Sequence, residues 1–484
     1  MPKKFRTVLA GAATAALTGS LLAAASAPAG AEPAQGTGQV RADFNGDGYG
    51  DLAIAAPVAK ISGKTGAGYV AVVYGTASGL DTSKRTLLSQ ATAGIPGTPE
   101  SSEYFGDRMT TGDLDGDGYT DLVVGVHAEH IGSTDESGAL TVVWGGAGGL
   151  KTATDITSPL PGNRHELGWS VATGDFDGDG VTDLAAANLA LPELNVFKGP
   201  ISRTGKAAAL TAVDTSGATG INADEIVAGD VNGDAATDLL VMGQEEHGAG
   251  YRTRSVLYKG GTTMKPAGKV AGGYAAAIAD VDKDGYGDIV TGNFMEKSTD
   301  EPNGGTGGAV TVTYGGASGL SSRTPVRITQ DSAGVPGAAE KGDAFGRSLS
   351  AGDTNGDGYA DIAVGVPSET LGSAKKAGSA VVLRGSANGL TGTGAKAFSQ
   401  STAGVPGTAE TMDFFGSTVE LTDSDNNGRA ELVAGAYGEN DGAGSVWLFK
   451  TTASGTTATG TKSVSGTGLG GPTGAAYFGD VLEG

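Results

Sequence analysis

The sequence predicts an all-β protein, a seven-bladed propeller of four-stranded antiparallel blades. Three observations predict it. An acidic loop of fixed spacing recurs seven times along 484 residues. Glycine fills 86 positions without a collagen period, and no stretch beyond residue 35 reads as an amphipathic helix, so the glycines are turn residues between short strands. The C-terminus carries a surplus copy of a strand motif that the first repeat lacks.

The clearest loop is "DLDGDGYTDL", with Asp113, Asp115, Asp117 and Asp121 at positions one, three, five and nine. Four carboxylates so close repel one another unless a cation holds them. Calcium takes six to eight oxygens, and carboxylates at alternate positions can wrap it. Positions one, three, five and nine would supply side-chain oxygens, and Tyr119 at position seven its backbone carbonyl. No Glu follows at position twelve, so this is not the helix-flanked EF-hand loop.

The loop recurs intact four more times. The copies are Asp43, Asn45, Asp47 and Asp51 with Tyr49; Asp175, Asp177, Asp179 and Asp183 with Val181; Asp280, Asp282, Asp284 and Asp288 with Tyr286; and Asp353, Asn355, Asp357 and Asp361 with Tyr359. Two copies are weaker. Asp230, Asn232, Asp234 and Asp238 have Ala235 where the turn glycine belongs, and Asp423 and Asp425 are followed by Asn427 and Glu431. The expectation is about five bound Ca2+ ions, and up to seven.

The loops begin at 43, 113, 175, 230, 280, 353 and 423, a period that suits propeller blades. Each unit reads alike. A Phe-Gly element opens it, as at Phe105-Gly106, Phe345-Gly346 and Phe415-Gly416, with Leu167-Gly168 a variant. A strand, the acidic loop and a second strand such as "DLVVG" follow. An irregular loop leads to an apolar third strand, a "GxAxGL" turn and a fourth strand. Three long connectors share a pattern: "QATAGIPGTPESSEYFG", "QDSAGVPGAAEKGDAFG" and "QSTAGVPGTAETMDFFG".

The first acidic loop has no Phe-Gly strand before it, while the chain ends in "YFGDVLEG", Tyr477–Gly484. These last residues are expected to complete blade one and close the ring, leaving no open sheet edge. In such a meander the acidic loops and the "GxAxGL" turns share one face. The loops joining strands two and three (Ala56–Gly68, Val126–Gly138, Gly243–Arg254, Asn293–Gly308 and Val366–Gly378) occupy the other, where a partner would be met.

Phe-Gly, the D-x-[DN]-x-D-G-x-x-D loop, and "VGVP" at Val364–Pro367 or "IAAP" at Ile54–Pro57 together resemble the FG-GAP repeats of the integrin α-subunit head. The resemblance spans residues 40–484. It implies a seven-bladed propeller with calcium on its lower face and ligands approaching the upper one. It also extends to a phospholipase D that cleaves lipid anchors, whose chemistry belongs to a separate zinc domain.

Residues 1–31 read as a secretory signal peptide, with a basic start, an apolar run of small residues and "AGA" at Ala29–Ala31, ahead of a single propeller at 38–484. Cleavage would make a chain already at net charge −22 three units more negative. That balance argues against nucleic acid or an anionic membrane surface as partner. With no cysteine, an exported chain needs a staple other than disulfides, and bound calcium would serve.

Catalytic patterns are sparse. There is no H-E-x-x-H helix, no G-x-S-x-G elbow and no cysteine nucleophile. His127, His130, His165 and His247 read as surface residues, and Trp144, Trp169 and Trp447 as packing residues. The expectation is a secreted, monomeric, calcium-binding adhesion module for an extracellular protein or glycan. The alternatives are a lectin with sugars between blades, or a hydrolase at the channel mouth.

Overall fold

The computed structural model describes residues 42–484 except 190, 217–219, 248 and 249. The expected signal peptide, 1–31, and the first residues of the expected domain, 38–41, lie outside them. Seven four-stranded antiparallel sheets form as a seven-bladed propeller. Blade two runs Arg108–Gly112, Asp121–Val126, Ala139–Trp144 and Thr152–Thr157, from the innermost strand outward. Blades three to seven repeat this order, opening with Leu167–Gly174, Asn222–Gly229, Ala275–Ala279, Leu349–Gly352 and Thr418–Thr422.

Blade one closes the ring. Its strands Leu52–Ala56, Tyr69–Tyr74 and Asp81–Leu88 are completed from inside by Leu482–Glu483. Ala53 pairs with Glu483 and Ile54 with Leu482. Ala55 N donates to Val481 O, and Gly479 N to Ala55 O, both at 2.9 Å. Each innermost strand touches the next around the whole circuit, with Leu482–Glu483 bridging blades seven and two. The closure expected from the two chain ends is therefore present.

The second strands are buried along their whole length, because neighbouring blades cover both faces; they read as unbroken apolar runs rather than alternations. Phe105, Phe345, Phe415 and Phe478 are fully buried between blades. The glycine after each takes a left-handed conformation. A Cβ on Gly416 would lie 2.2 Å from Ser379 O, so the Phe-Gly pair lets the backbone press against the third strand of the preceding blade.

Two local expectations change. In blade four, Gly243–Arg254 is mostly strand, because Asp238–His247 and Gly250–Lys259 pair as one long hairpin. In blade five the fourth strand shrinks to Val326–Ile328, and a small hairpin, Gly315–Gly316 with Gly319–Leu320, precedes it. Among the described residues helix is confined to single turns at Glu439–Gly442 and Thr467–Leu469. Among the described residues no helix is long and apolar enough to cross a membrane.

Candidate metal centres

The acidic loops join strands one and two, and their ninth residue does structural work before any ion is considered. Asp121 Oδ2 accepts Leu114 N at 3.0 Å, and Oδ1 accepts Gly145 N at 2.8 Å, beyond the third strand. Asp51, Asp183, Asp238, Asp288 and Asp361 make the same two contacts, to Phe44 and Gly75, Phe176 and Gly199, Val231 and Gly260, Val281 and Gly315, and Thr354 and Gly385. In blade seven Glu431 accepts from Ser424 N and from the Thr451 hydroxyl. The acidic loop and the turn after strand three are thus tied together on one face, as the meander requires. Burial pushes Asp51, Asp121 and Asp288 up to about 7, and Asp183 and Asp238 up to about 6.

Position one folds the loop onto itself. Asp113 Oδ1 accepts Gly116 N and Asp117 N, and Oδ2 accepts Gly118 N at 2.9 Å. Asp43, Asp175 and Asp353 repeat the pattern. Position five turns back in the same way, Asp117 Oδ1 accepting Tyr119 N. The loops also interlock: Asp43 O accepts Thr120 N of the next blade, and Asp175 O, Asp230 O, Asp280 O and Asp353 O do likewise. The ring of Tyr119 lies against Gly46, where a Cβ would sit 2.5 Å from it.

Positions one, three and nine converge. Carboxylate oxygens of Asp113, Asp115 and Asp121 lie within 4.8 Å of one another, as do those of Asp175, Asp177 and Asp183, of Asp280, Asp282 and Asp288, and of Asp423, Asp425 and Glu431. Two of these groups hold a buried oxygen with no hydrogen-bond partner, Asp282 Oδ1 and Asp425 Oδ1. The Asp282 side chain is only 6% exposed. An orphaned carboxylate oxygen among two further carboxylates fits a hard cation.

The copies with Asn at position three are drawn differently. Asn232 Nδ2 donates to both oxygens of Asp238, at 3.2 and 3.3 Å, and Asn355 Nδ2 donates to Asp357 Oδ2 at 2.8 Å. In blade one, Asn45 Oδ1 accepts Asp47 N. The non-glycine Ala235 is held at φ +69 in the fourth loop.

Spacing alone missed the residue at or near the end of the third strand. It is aromatic in blades one, two and five (Tyr74, Trp144, Tyr314) and basic in blades three, four, six and seven (Lys198, Lys259, Arg384, Lys450). Lys198 Nζ lies 2.5 Å from Asp177 Oδ2, and Lys259 Nζ 3.0 Å from Asp234 Oδ2. Arg384 Nη1 lies 2.6 Å from Asp361 Oδ2, which also accepts from the Thr354 hydroxyl and amide. Where the residue is aromatic in blades two and five, an arginine from elsewhere arrives. Arg203 forks onto Asp115 and Asp117, and Arg323 reaches Asp282 while lying 3.5 Å from the Tyr314 ring centre.

On the opposite face His127 is not a surface residue. It is buried, 3.4 Å from Asp107 and from Glu166, with its ring edge-on to Trp169. His130 is half exposed, 2.8 Å from Asp135. Trp144 and Trp447 are packing residues, as expected. A cavity of about 320 Å3 lies between blades three and four, against Asp177 and Lys198. Its one aromatic wall, Phe176, is a buried core residue, so it offers no exposed ring for a sugar to stack on.

Comparison with known proteins agrees with this architecture. The FG-GAP repeat model matches residues 40–73 and 345–383, and an FG-GAP-like repeat model matches 113–186. Phosphatidylinositol-glycan-specific phospholipase D of Rattus norvegicus is 29% identical over 231 residues, which is 48% of this chain and 26% of that protein. Integrin alpha-6 of Homo sapiens is 36% identical over 118 residues, 24% of this chain and 9% of that one. The chain thus spans about a quarter or less of the length of these relatives. Among solved structures, a mutant Aleuria aurantia lectin in complex with alpha-methyl-L-fucoside covers 71% of this chain and 90% of its own at 10% identity and a TM-score of 0.37, a likeness too distant to bear on the ligand.

Proposed function

We propose that this chain, which carries FG-GAP repeats closed into a seven-bladed propeller, is an exported, calcium-stabilised scaffold whose upper loops bind an extracellular protein or glycan. The observation that carries the calcium reading is the convergence of three carboxylates in four loops, with Asp282 Oδ1 orphaned and buried among them. Positions one, three, five and nine would hold the ion, with position-seven carbonyls completing the shell. The ion would neutralise the loop and so rigidify the inner hairpin of its blade.

Because the position-one carbonyls of five loops accept hydrogen bonds from the next blade, an ion in one of these loops would also stiffen the junction with its neighbour. What the chain's own residues do is prearrange: Asp113 and its equivalents shape the loop, and Asp121 and its equivalents anchor it to the third strand. A rigid lower ring then presents the loops of the other face. The net charge of −22 favours a protein or neutral glycan over nucleic acid. The test is binding of the protein beginning at residue 32 to glycan arrays and to candidate protein partners, in calcium and in EDTA. Calcium-dependent binding abolished by substitutions at Val126–Gly138 or Val366–Gly378 supports the reading. Binding that survives both EDTA and those substitutions overturns it.

A further inference from the structure

At several junctions an apolar side chain from the turn after the third strand plugs the gap to the preceding blade. Leu150 is buried with Phe44 and Tyr74 of blade one, Ile201 with Leu114 and Trp144 of blade two, and Leu390 with Val281 and Tyr314 of blade five. At the junction of blades seven and one Leu80 stands in this place, and the space left beside it is about 20 Å3.

Blade four has no such leucine. Lys259 at the end of its third strand pairs with Lys265, six residues on, whereas Tyr74 pairs with Asp81 and Arg384 with Thr391, seven residues on. The residue before the pairing partner is Leu80 or Leu390 in those blades and Met264 here. From the shorter turn Met264 only half covers the core of blade three. The cavity of about 320 Å3 between blades three and four is what remains. It occupies the same corner as the small one. Phe176, Asp183 and Lys198 line it, and their counterparts Ser424, Glu431 and Lys450 line the other.

The walls are largely apolar, with Phe176, Val196, Val213, Met264 and Pro266 among them. The charged groups are already engaged. Lys198 is paired with Asp177, Asp183 accepts the amides of Phe176 and Gly199, and Asp214 accepts the amide and hydroxyl of Ser216. Three carboxylates against one lysine repel an anion, and an ammonium group would have to displace Lys198 from Asp177 while losing its own water. Burial of apolar surface is the interaction left to offer. Met264, unbranched and adaptable, can reshape the opening around an occupant.

We propose that this gap is a binding site for a small, uncharged, apolar molecule, aromatic or branched aliphatic, which takes the place that a leucine fills at other junctions. The site lies beside the third acidic loop, apart from the upper loops assigned to the partner, and goes beyond that reading. Its occupant would tie the outer strand of blade three, Ala209–Asp214, to the turn of blade four.

The test titrates the folded protein beginning at residue 32 with phenylnaphthylamine, an uncharged dye whose emission rises in apolar surroundings. Anilinonaphthalene sulfonate, the same rings with an anionic group, is run beside it. Saturable binding of one phenylnaphthylamine per chain is expected, with the sulfonate weaker by at least about tenfold. The filling variant carries Thr211→Phe and Val213→Phe. Both residues turn toward the cavity, because they pair with Val196 and Leu194 on the face that packs against blade four. This variant should keep the circular dichroism of the unsubstituted protein and weaken the dye by at least about tenfold. No saturable binding, equal binding of the sulfonate, or binding that the filling variant leaves unchanged overturns the proposal. If the double variant does not fold, Thr211→Phe alone, at an exposed position of the outermost strand, decides in the same way.

Discussion

Asp121 Oδ1 accepts the Gly145 amide at 2.8 Å, while its Oδ2 accepts the Leu114 amide at 3.0 Å. One fully buried carboxylate therefore joins the chain just past the first strand to the chain just past the third, on one face of the blade, whether or not an ion is bound. Asp117, at position five, is more open and contacts Arg203 and its own loop. The two positions separate by mutation. In EDTA, Asp121→Ala is expected to cost about 2–4 kcal/mol, because two buried N–H groups lose their acceptor. Asp117→Ala should cost less than about 1 kcal/mol in EDTA and lose about one ion in calcium. Urea unfolding of both variants, with and without calcium, checks this.

Arg384 stands at Asp361 as a resident cation, with the Thr354 hydroxyl on the same oxygen. The sixth loop has an intact motif, yet its ninth carboxylate is already saturated with donors. Calcium should fill it last among the five intact loops. Arg384→Gln should tighten that site by at least about tenfold, the ratio that about 1.4 kcal/mol of removed competition yields. Calorimetric titration of the variant against the unsubstituted protein measures it.

Phe478 and Leu482 close the ring, and Phe478 is fully buried between blades seven and one. Phe478→Ala should destabilise the protein by about 3–5 kcal/mol. Deleting Tyr477–Gly484 should do more, since it strips Leu52–Ala56 of its inner partner and leaves an open edge that promotes aggregation. Thermal melts and light scattering read the two effects.

Glu483 lies on the closing strand, with burial pushing it up to about 7, and burial together with Glu483 raises Glu420 well above its ordinary value. Between about 4.5 and 7 the folded state holds a proton that the unfolded chain has released. The stabilising contribution is therefore complete below the unfolded value and is lost as pH rises through about 7. Glu483→Gln should raise the melting temperature at pH 8 and leave it nearly unchanged at pH 4.5.

Much of the frame was legible. The phase of Asp113 and its six repeats gives the blade count, and Tyr477–Gly484 gives the closure, because both are patterns of residue type at fixed spacing. Convergence is not such a pattern. Glu431 looked like damage, but its longer side chain still brings a carboxylate to Asp423 and Asp425. Asp361 looked intact, yet Arg384 arrives from a strand twenty-three residues away. The stretch Gly243–Arg254 was read as loop because polar and glycine residues there outweighed pairing that only the three-dimensional ladder supplies. His127 was placed at the surface because nothing local announces that Asp107, Glu166 and Trp169 fold around it.

The central claim is that cations bind the folded ring and hold it. The direct measurement is the melting temperature of the protein beginning at residue 32, in millimolar calcium and again in excess EDTA at the same ionic strength. Several ions bound only to the folded state should raise it by about 10 °C or more, reversibly, with the shift growing as calcium rises. A melting temperature that is the same in calcium and in EDTA would contradict the account.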